Sequence, residues 1–188
     1  MQGKIIIICA PSGTGKTTLL KEVLQRFENL EFSVSATSRL PRANEKHGKD
    51  YYFLSVEDFK KKINENYFVE WEEVYEEIFY GTPRSELTRI WQKNKHVVFD
   101  VDVLGGMNIK KQYPLISLSV FIQPPSLNTL RERLLQRGTE TPESIQKRIS
   151  RATYEMEFAP KFDVKIINDD LQKAISRLHE TFTQFLSK

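Results

Sequence analysis

Residues 4–28 read KIIIICAPSGTGKTTLLKEVLQRFE, and this stretch decides the fold. Lys4–Ala10 is a continuous β-branched run of the kind a parallel sheet buries on both faces. Pro11–Gly15 interrupts it. From Lys16 to Glu28, Leu19, Leu20, Val23, Leu24 and Phe27 then recur at helical spacing. The order is strand, glycine turn, helix. Ala10-Pro11-Ser12-Gly13-Thr14-Gly15-Lys16-Thr17, continued by Thr18, fits the phosphate-loop pattern, except that alanine stands where its first glycine is usual. Gly13 and Gly15 permit a tight loop whose backbone N–H groups converge on an anion at a helix N-terminus. In that arrangement Lys16 reaches the β- and γ-phosphates of a nucleotide, and the Thr17 hydroxyl ligates Mg²⁺. The last residue of a strand needs no positive φ, so Ala10 leaves the loop workable.

Working outward, the same strand-helix rhythm returns. His96–Val101 is a second β-branched run, and Leu118–Ile122 is a third, stopped by Pro124-Pro125. Ser126 is placed to cap a helix carrying Leu127, Leu130, Leu134 and Leu135. Phe162–Ile167 precedes a closing helix with Leu171, Ala174, Ile175, Leu178 and Phe182 on one stripe. Alternation of this kind predicts an α/β fold, a parallel sheet with helices on both faces. Asp100 and Asp102 close the second run, where the crevices of parallel sheets open. Residues two apart share one side of an extended strand, so both aspartates are expected to face the cleft. Asp100 joins Thr17 as a candidate metal ligand, directly or through water.

Two stretches break the rhythm. Ser33–Trp91 is rich in Tyr, Phe, Glu and Arg, with short strand-like pieces at Tyr51–Leu54, Tyr67–Val74 and Ile78–Tyr80. Ser55 with Asp58 three positions on predicts a capped helix between them. Arg137–Ala159 is polar and helical, the composition of a lid. The expected organisation is one domain over 1–188: a core of 1–32, 92–136 and 160–188, an inserted acceptor-binding subdomain of 33–91, and a lid of 137–159.

Composition narrows the class. The 188 residues are 39% hydrophobic and 28% charged, a globular balance. The apolar run at Ile5–Ala10 is too short to cross a bilayer, and Met1–Lys4 leads into it without a cleavage site, so no signal peptide is expected. Cys9 is the only cysteine, which excludes an internal disulfide and fits a reducing, cytoplasmic setting. A net charge of +3 is too small to argue for nucleic-acid binding. The arginines are clustered instead, Arg39 with Arg42, and Arg131, Arg133, Arg137, Arg148 and Arg151 in a denser group.

Two guanidiniums three residues apart, with tyrosine hydroxyls nearby, suit a phosphate monoester. Telling guanine from adenine takes acceptors for N1–H and the 2-amino group and a donor for the 6-oxo oxygen. Glu45, Glu70 and Asp102 offer carboxylates, and Ser35 and Thr82 offer hydroxyls. Glu70 lies inside an apolar Tyr-Phe-Val-Glu-Trp run, an odd place for a surface acid, whereas Glu72, Glu73, Glu76 and Glu77 are ordinary solvated residues.

Ser33–Phe53, SVSATSRLPRANEKHGKDYYF, resembles the GMP-binding signature of guanylate kinases. The resemblance runs on through Phe68-Val-Glu70-Trp71, Tyr80-Gly-Thr82-Pro83, Asp100-Val-Asp102, Arg137-Gly-Thr-Glu140-Thr141, Lys147-Arg148 and Asn168-Asp-Asp170, nearly the whole chain in order. It implies ATP:GMP phosphotransfer with Mg²⁺ and dGMP as a further acceptor. It implies that Arg39, Arg42, Tyr51 and Tyr80 hold the GMP phosphate. Glu70 and Asp102 would read the guanine N1–H and amine, Ser35 and Thr82 would lie near the 6-oxo oxygen, and Glu45 would orient the arginines. Lys16, Arg133, Arg137 and Arg148 take catalytic places, Arg137 alternatively stacking on adenine, and Asn168 contacts the adenine ring. Arg131 and Arg151 match no family position.

Three departures stand out. Asn44 replaces a glycine, and asparagine tolerates the left-handed conformation. Leu104 replaces a glutamine, and the Tyr75–Phe79 turn lacks its glycine. The rivals are a phosphopeptide-binding module that has lost catalysis and a kinase with another phosphorylated acceptor. Lys16 and Thr17, both intact, speak against the first, and the guanine-reading residues against the second. Monomer and homodimer remain open.

Overall fold

Within Ile5–Cys9 every side chain is fully buried, as the unbroken apolar run requires (strand β1). The computed structural model describes residues 3–136 and 141–188. Parallel pairing joins Leu30–Phe32 (β2) to His96–Asp100 (β7), and Ser117–Gln123 (β8) to Val164–Ile167 (β9). The five-stranded sheet has the order β2-β7-β1-β8-β9. A second, mixed sheet has the order β4-β3-β6-β5, built from Ala36–Thr37 (β3), Tyr52–Phe53 (β4), Phe68–Tyr75 (β5) and Ile78–Pro83 (β6). Seven α-helices accompany them among the described residues. They are Lys16–Leu24 (α1), Val56–Asn64 (α2), Arg84–Trp91 (α3), Val103–Gln112 (α4), Leu127–Gln136 (α5), Pro142–Met156 (α6) and Leu171–Leu186 (α7). None of the described helices is long and apolar enough to cross a membrane.

Two compact units divide the chain. The first comprises residues up to Ile6 together with Asn29–Ser117, and the second Ile7–Glu28 with Leu118–Lys188. In the first, Ala36, Phe59, Phe68 and Phe79 form a core in which the Phe59 ring stacks on Phe68 and Phe79 at 4.4 and 5.4 Å. Ser55 caps α2 by accepting from the Asp58 N–H at 3.0 Å, and its hydroxyl donates to the Asp58 carboxylate at 2.8 Å. That is half a capping box: the acid engages the cap's hydroxyl instead of its backbone N–H. In the second unit, Leu130 and Leu134 of α5 pack against Ile145, Ile149 and Ala152 of α6. Thr141 caps α6 by accepting from the Ser144 N–H at 3.2 Å, and Pro142 takes the first helical position, where no N–H is needed.

Several sequence expectations shift. The first helix ends at Leu24 instead of Glu28, because the chain tightens there, Arg26 N–H to Val23 carbonyl and Phe27 N–H to Leu24 carbonyl. Asp102 lies off the second strand and is the N-cap of α4, so the alternation argument for it fails. Asn44 is not left-handed: among described non-glycine residues only Asn66, Glu77 and Asn94 have positive φ. The turn closes instead with the Glu45 N–H donating to the Arg42 carbonyl at 3.0 Å. At the glycine-less hairpin, Glu77 itself takes φ 59°. Its N–H donates to the Glu73 carboxylate at 2.8 Å, and its carbonyl accepts from the Ser38 hydroxyl at 2.8 Å. These bonds offset the roughly 1–2 kcal/mol that a side chain costs in that conformation. The register beyond it is definite, with Tyr80 opposite Glu72 and Thr82 opposite Glu70.

Candidate active site

The glycine loop forms between β1 and α1. Gly13 and Gly15 take φ of 95° and 87°, values side chains rarely adopt, and Ala10 does not. Thr14 is fully buried, its hydroxyl and N–H both donating to the Pro11 carbonyl, at 2.9 and 3.3 Å. Gly15 caps α1 with no side-chain hydrogen bond, and the first turn holds no acid. The helix therefore opens on N–H groups and a positive dipole end, with no acid in its own first turn. Lys16 is its first residue, and Thr17 and Thr18, both exposed, follow. Such an end suits an anion.

Three residues distant in sequence close on the loop. Asn168 is buried, its side-chain amide donating to the Thr14 carbonyl at 2.6 Å. Arg133 donates to the same carbonyl at 3.4 Å and to the Asn168 carbonyl at 3.0 Å. Arg148, from α6, reaches the Ser12 hydroxyl at 2.6 Å. Arg137 lies outside the described residues. Arg131 donates to Gln146, and Arg151 pairs with Glu155 at 3.0 Å along its own helix.

A Cβ at Gly13 would stand 2.9 Å from side-chain carbons of both Leu130 and Leu134, which are fully buried and cannot swing clear. Gly13→Ala is therefore expected to cost about 2–4 kcal/mol, a fall in melting temperature of about 5–15 °C. A thermal melt beside the unsubstituted chain checks this.

The first unit holds a second polar constellation. Arg39 makes a two-pronged pair with Glu45, at 2.6 and 2.7 Å, and donates from Nε to the Tyr80 hydroxyl at 3.1 Å and from Nη1 to the Leu40 carbonyl at 3.0 Å. Four of its five N–H donors are engaged in this way. Glu45 also accepts the Arg42 N–H at 2.8 Å, so one carboxylate sets both arginine positions while the Arg42 side chain stays exposed. Arg39 and the Arg42 N–H hold the Glu45 carboxyl down at about 2, and its charge in turn keeps Arg39 firmly protonated. The guanidinium sits 5.0 Å above the Tyr51 ring, and Tyr51 meets Tyr80 edge-on at 5.9 Å. Burial raises the Tyr51 hydroxyl, and the Tyr80 and Asp100 charges add to that, which places Asp100 within electrostatic reach of this group.

Beside it lies an acid pocket. Glu70 is buried, with 7% of its surface exposed, and Oε1 accepts from the fully buried Thr82 hydroxyl at 2.7 Å. Ser35 and Thr82 share a hydrogen bond of 3.2 Å between their hydroxyls. Asp102 caps α4 by accepting from the Gly105 N–H at 2.8 Å. A Cβ at Gly105 would lie 2.6 Å from Glu70 Oε2 and 3.3 Å from Asp102 Oδ1, so the two carboxylates converge there. Burial, reinforced by Asp102 and only partly offset by Thr82, pushes the Glu70 carboxyl up to about 7. A buried carboxylate in that position gains from any ligand offering two N–H donors.

The structure thus assembles Ser35, Glu70, Thr82 and Asp102 in one pocket, and Arg39, Glu45, Tyr51 and Tyr80 in the next. Sequence reasoning missed Gly105, whose lack of a side chain admits the Glu70 carboxylate, and the cap that turns Asp102 toward it. Asp102 followed three positions on by glycine, after a β-branched run, was the available signal. Missed too were helices α3 and α4 as such. Tyr52 is half-buried and donates to Glu86 at 3.0 Å.

Comparison with known proteins converges on one family. The family model described as guanylate kinase matches residues 2–185. A guanylate kinase of Bacteroides fragilis is 52% identical over 185 residues, covering 98% of this chain and 91% of its own. One from Porphyromonas gingivalis is 48% identical over 186 residues, covering 98% and 99%. The crystal structure of guanylate kinase from Anaplasma phagocytophilum superposes with a TM-score of 0.78 at 28% identity, over 99% of this chain and 87% of that one.

Proposed function

The chain belongs to the guanylate kinase family, and on that premise we propose that it transfers the γ-phosphoryl group of ATP to GMP, giving ADP and GDP. The observation that carries the acceptor's identity is the buried Glu70 carboxylate, held by Thr82 and converging with Asp102. Guanine presents N1–H and a 2-amino group to it, and adenine offers neither in that place. The Ser35 and Thr82 hydroxyls serve the 6-oxo side. Arg39, with its remaining N–H, joins Arg42, Tyr51 and Tyr80 on the GMP phosphate, and Glu45 keeps the arginines aimed.

On the donor side, the residues Ala10–Thr18 wrap the triphosphate and Lys16 neutralises the β- and γ-phosphates. Phosphoryl transfer asks for little covalent work from the protein, so catalysis is positioning and charge neutralisation. The attacking GMP oxygen is already anionic and needs no strong base. Arg133, Arg137 and Arg148 supply positive charge to the transferring group, and Asn168 stands beside the adenine while its amide braces the loop. Among the described residues no group of three or more His, Cys, Asp or Glu side chains is arranged to hold a metal ion. Thr17 and Asp100 are hard oxygen donors of the kind Mg²⁺ takes alongside substrate phosphates. When bound, Mg²⁺ neutralises phosphate charge.

The working division is core, GMP-binding subdomain 33–91 and lid 137–159, the lid excluding water from the γ-phosphate. The reaction is tested by supplying ATP and Mg²⁺ with GMP, dGMP, AMP, UMP and CMP in turn and measuring ADP release. GMP and dGMP are expected to turn over, with AMP slower by about 10⁴-fold or more in kcat/KM. Comparable rates for AMP and GMP would defeat the assignment, and phosphopeptide binding without turnover would favour the scaffold-module rival.

A further inference from the structure

Helix α3 begins where the strand carrying Thr82 ends, and its first turn contains Glu86, a carboxylate with 1% of its surface exposed. No step of the reaction uses this acid. Its Oε2 accepts the backbone N–H of Val34 at 2.7 Å, and its Oε1 accepts the Tyr52 hydroxyl at 3.0 Å. Arg89, one turn on, grips both oxygens, from Nε at 2.9 Å and Nη2 at 2.7 Å. The same guanidinium pairs with Glu31 and donates to the Phe32 carbonyl at 3.2 Å. Glu31 is in turn paired with Lys93 and Lys95, at 2.8 and 3.6 Å. Burial alone would raise the Glu86 carboxyl, but the bonds from Arg89, Val34 and Tyr52 outweigh it and keep the group below its ordinary range.

What Glu86 grips matters. Val34 precedes Ser35, and Tyr52 follows Tyr51. The two segments are tied to each other as well, the Tyr52 N–H donating to the Ser35 carbonyl at 2.9 Å. Ser35 shares its hydroxyl bond with Thr82, which bonds Glu70. One buried carboxylate therefore holds the backbone N–H next to a base-side hydroxyl and the side-chain hydroxyl of the residue that follows a phosphate-side tyrosine.

We infer that Glu86 is a positioning residue of the acceptor site, setting Ser35 and Tyr51 through Val34 and Tyr52 so that base and phosphate of GMP are met in register; this rests on the acceptor reading above. A buried acid is costly to keep unless it is fully bonded, and here the bonds run to the two segments the acceptor needs. Displacements of about 1 Å at such positions lower rates by about a hundredfold in a built site.

The test compares Glu86→Gln, Tyr52→Phe, Ser35→Ala and the double variant Glu86→Gln/Ser35→Ala by steady-state kinetics and melting. The amide introduced by Glu86→Gln would turn an NH₂ toward either the Val34 N–H or the Tyr52 hydroxyl, and Tyr52→Phe removes a single tie without disturbing the fold. The expected result is a KM for GMP raised about ten- to a hundredfold in Glu86→Gln and less in Tyr52→Phe, with the KM for ATP within about twofold. The double variant should fall short of the product of the singles. A GMP KM unchanged in both Glu86→Gln and Tyr52→Phe, whatever happens to the melting temperature, would reduce Glu86 to a fold-holding role and overturn the inference. So would GMP and ATP KM values rising together. Ser35→Ala separates the two failures. If it raises the GMP KM while Glu86→Gln does not, only Glu86 is misassigned. If it changes nothing, the acceptor reading falls and takes Glu86 with it.

Discussion

Lys16→Met should lower kcat for GDP formation by about 10²- to 10³-fold or more, the size of losing one pre-placed charge from a phosphoryl-transfer site. Stability should hardly move. Lys16 is the first residue of α1, whose first turn carries no acid and whose N-terminus is the positive end of the dipole. A cation there is unfavourable by about 0.3–1 kcal/mol, so a neutral side chain of similar length costs the helix nothing. The dipole gives no reason for a cation at this position, and a bound anion does. Paired measurements of kcat and melting temperature check this. Full activity in the variant would remove Lys16 from the mechanism.

Glu70→Gln should lower kcat/KM for GMP by about 10²- to 10³-fold, as expected when a buried charge-assisted pair to a ligand is broken. It should also make the unliganded protein more stable above neutral pH. The Glu70 carboxyl titrates near 7 in the folded chain against 4.5 ordinarily, so between those values the folded state binds the extra proton. Stability from this group is fully present below about 4.5 and is lost as pH rises through about 7. Above that, the buried charge costs on the order of 1–3 kcal/mol, which glutamine removes. Denaturant melts of both proteins at pH 5 and pH 8 should show curves that nearly coincide at the lower pH and separate at the higher. Equal offsets at the two values would mean that Glu70 is not held as a strained acid. A residue that weakens the empty protein and is needed for GMP is a function-driven residue.

These expectations show how far the sequence reaches. The loop could be read from residues 4–28 alone, because strand, glycine turn and helix each leave a local signature there, and β1 and α1 formed as read apart from the shortened helix end. The long-range strands also announced themselves as β-branched runs. Strands β2 and β3, three and two residues long, are too short for any period to register, whereas β4 falls within the strand-like piece Tyr51–Leu54. Glu70 was legible as an acid in an apolar run. Its partner geometry was not, since Thr82 meets it through a hairpin register that depends on Glu77 accepting a left-handed backbone. The alternation argument for Asp102 failed: it faces Glu70 as a helix cap, not as a strand residue. Arg133 and Asn168 were found by family position, but their side-chain bonds to the Thr14 carbonyl cross more than a hundred residues, and no spacing rule encodes them. Glu86 carried no signal in the sequence, since its partners Val34 and Tyr52 lie far off along the chain.

The central claim is that one chain seats a triphosphate donor and a guanine monophosphate acceptor for a single transfer. The most direct measurement is the calorimetric binding of an adenosine and a guanosine joined 5′ to 5′ through five phosphates, with ATP and GMP as competitors. The account predicts one molecule per chain, bound at least about a hundredfold more tightly than either nucleotide alone, displaced by both, and weakened by Glu70→Gln and Lys16→Met alike. Binding no tighter than ATP, with GMP unable to displace it and Glu70→Gln without effect, would contradict it.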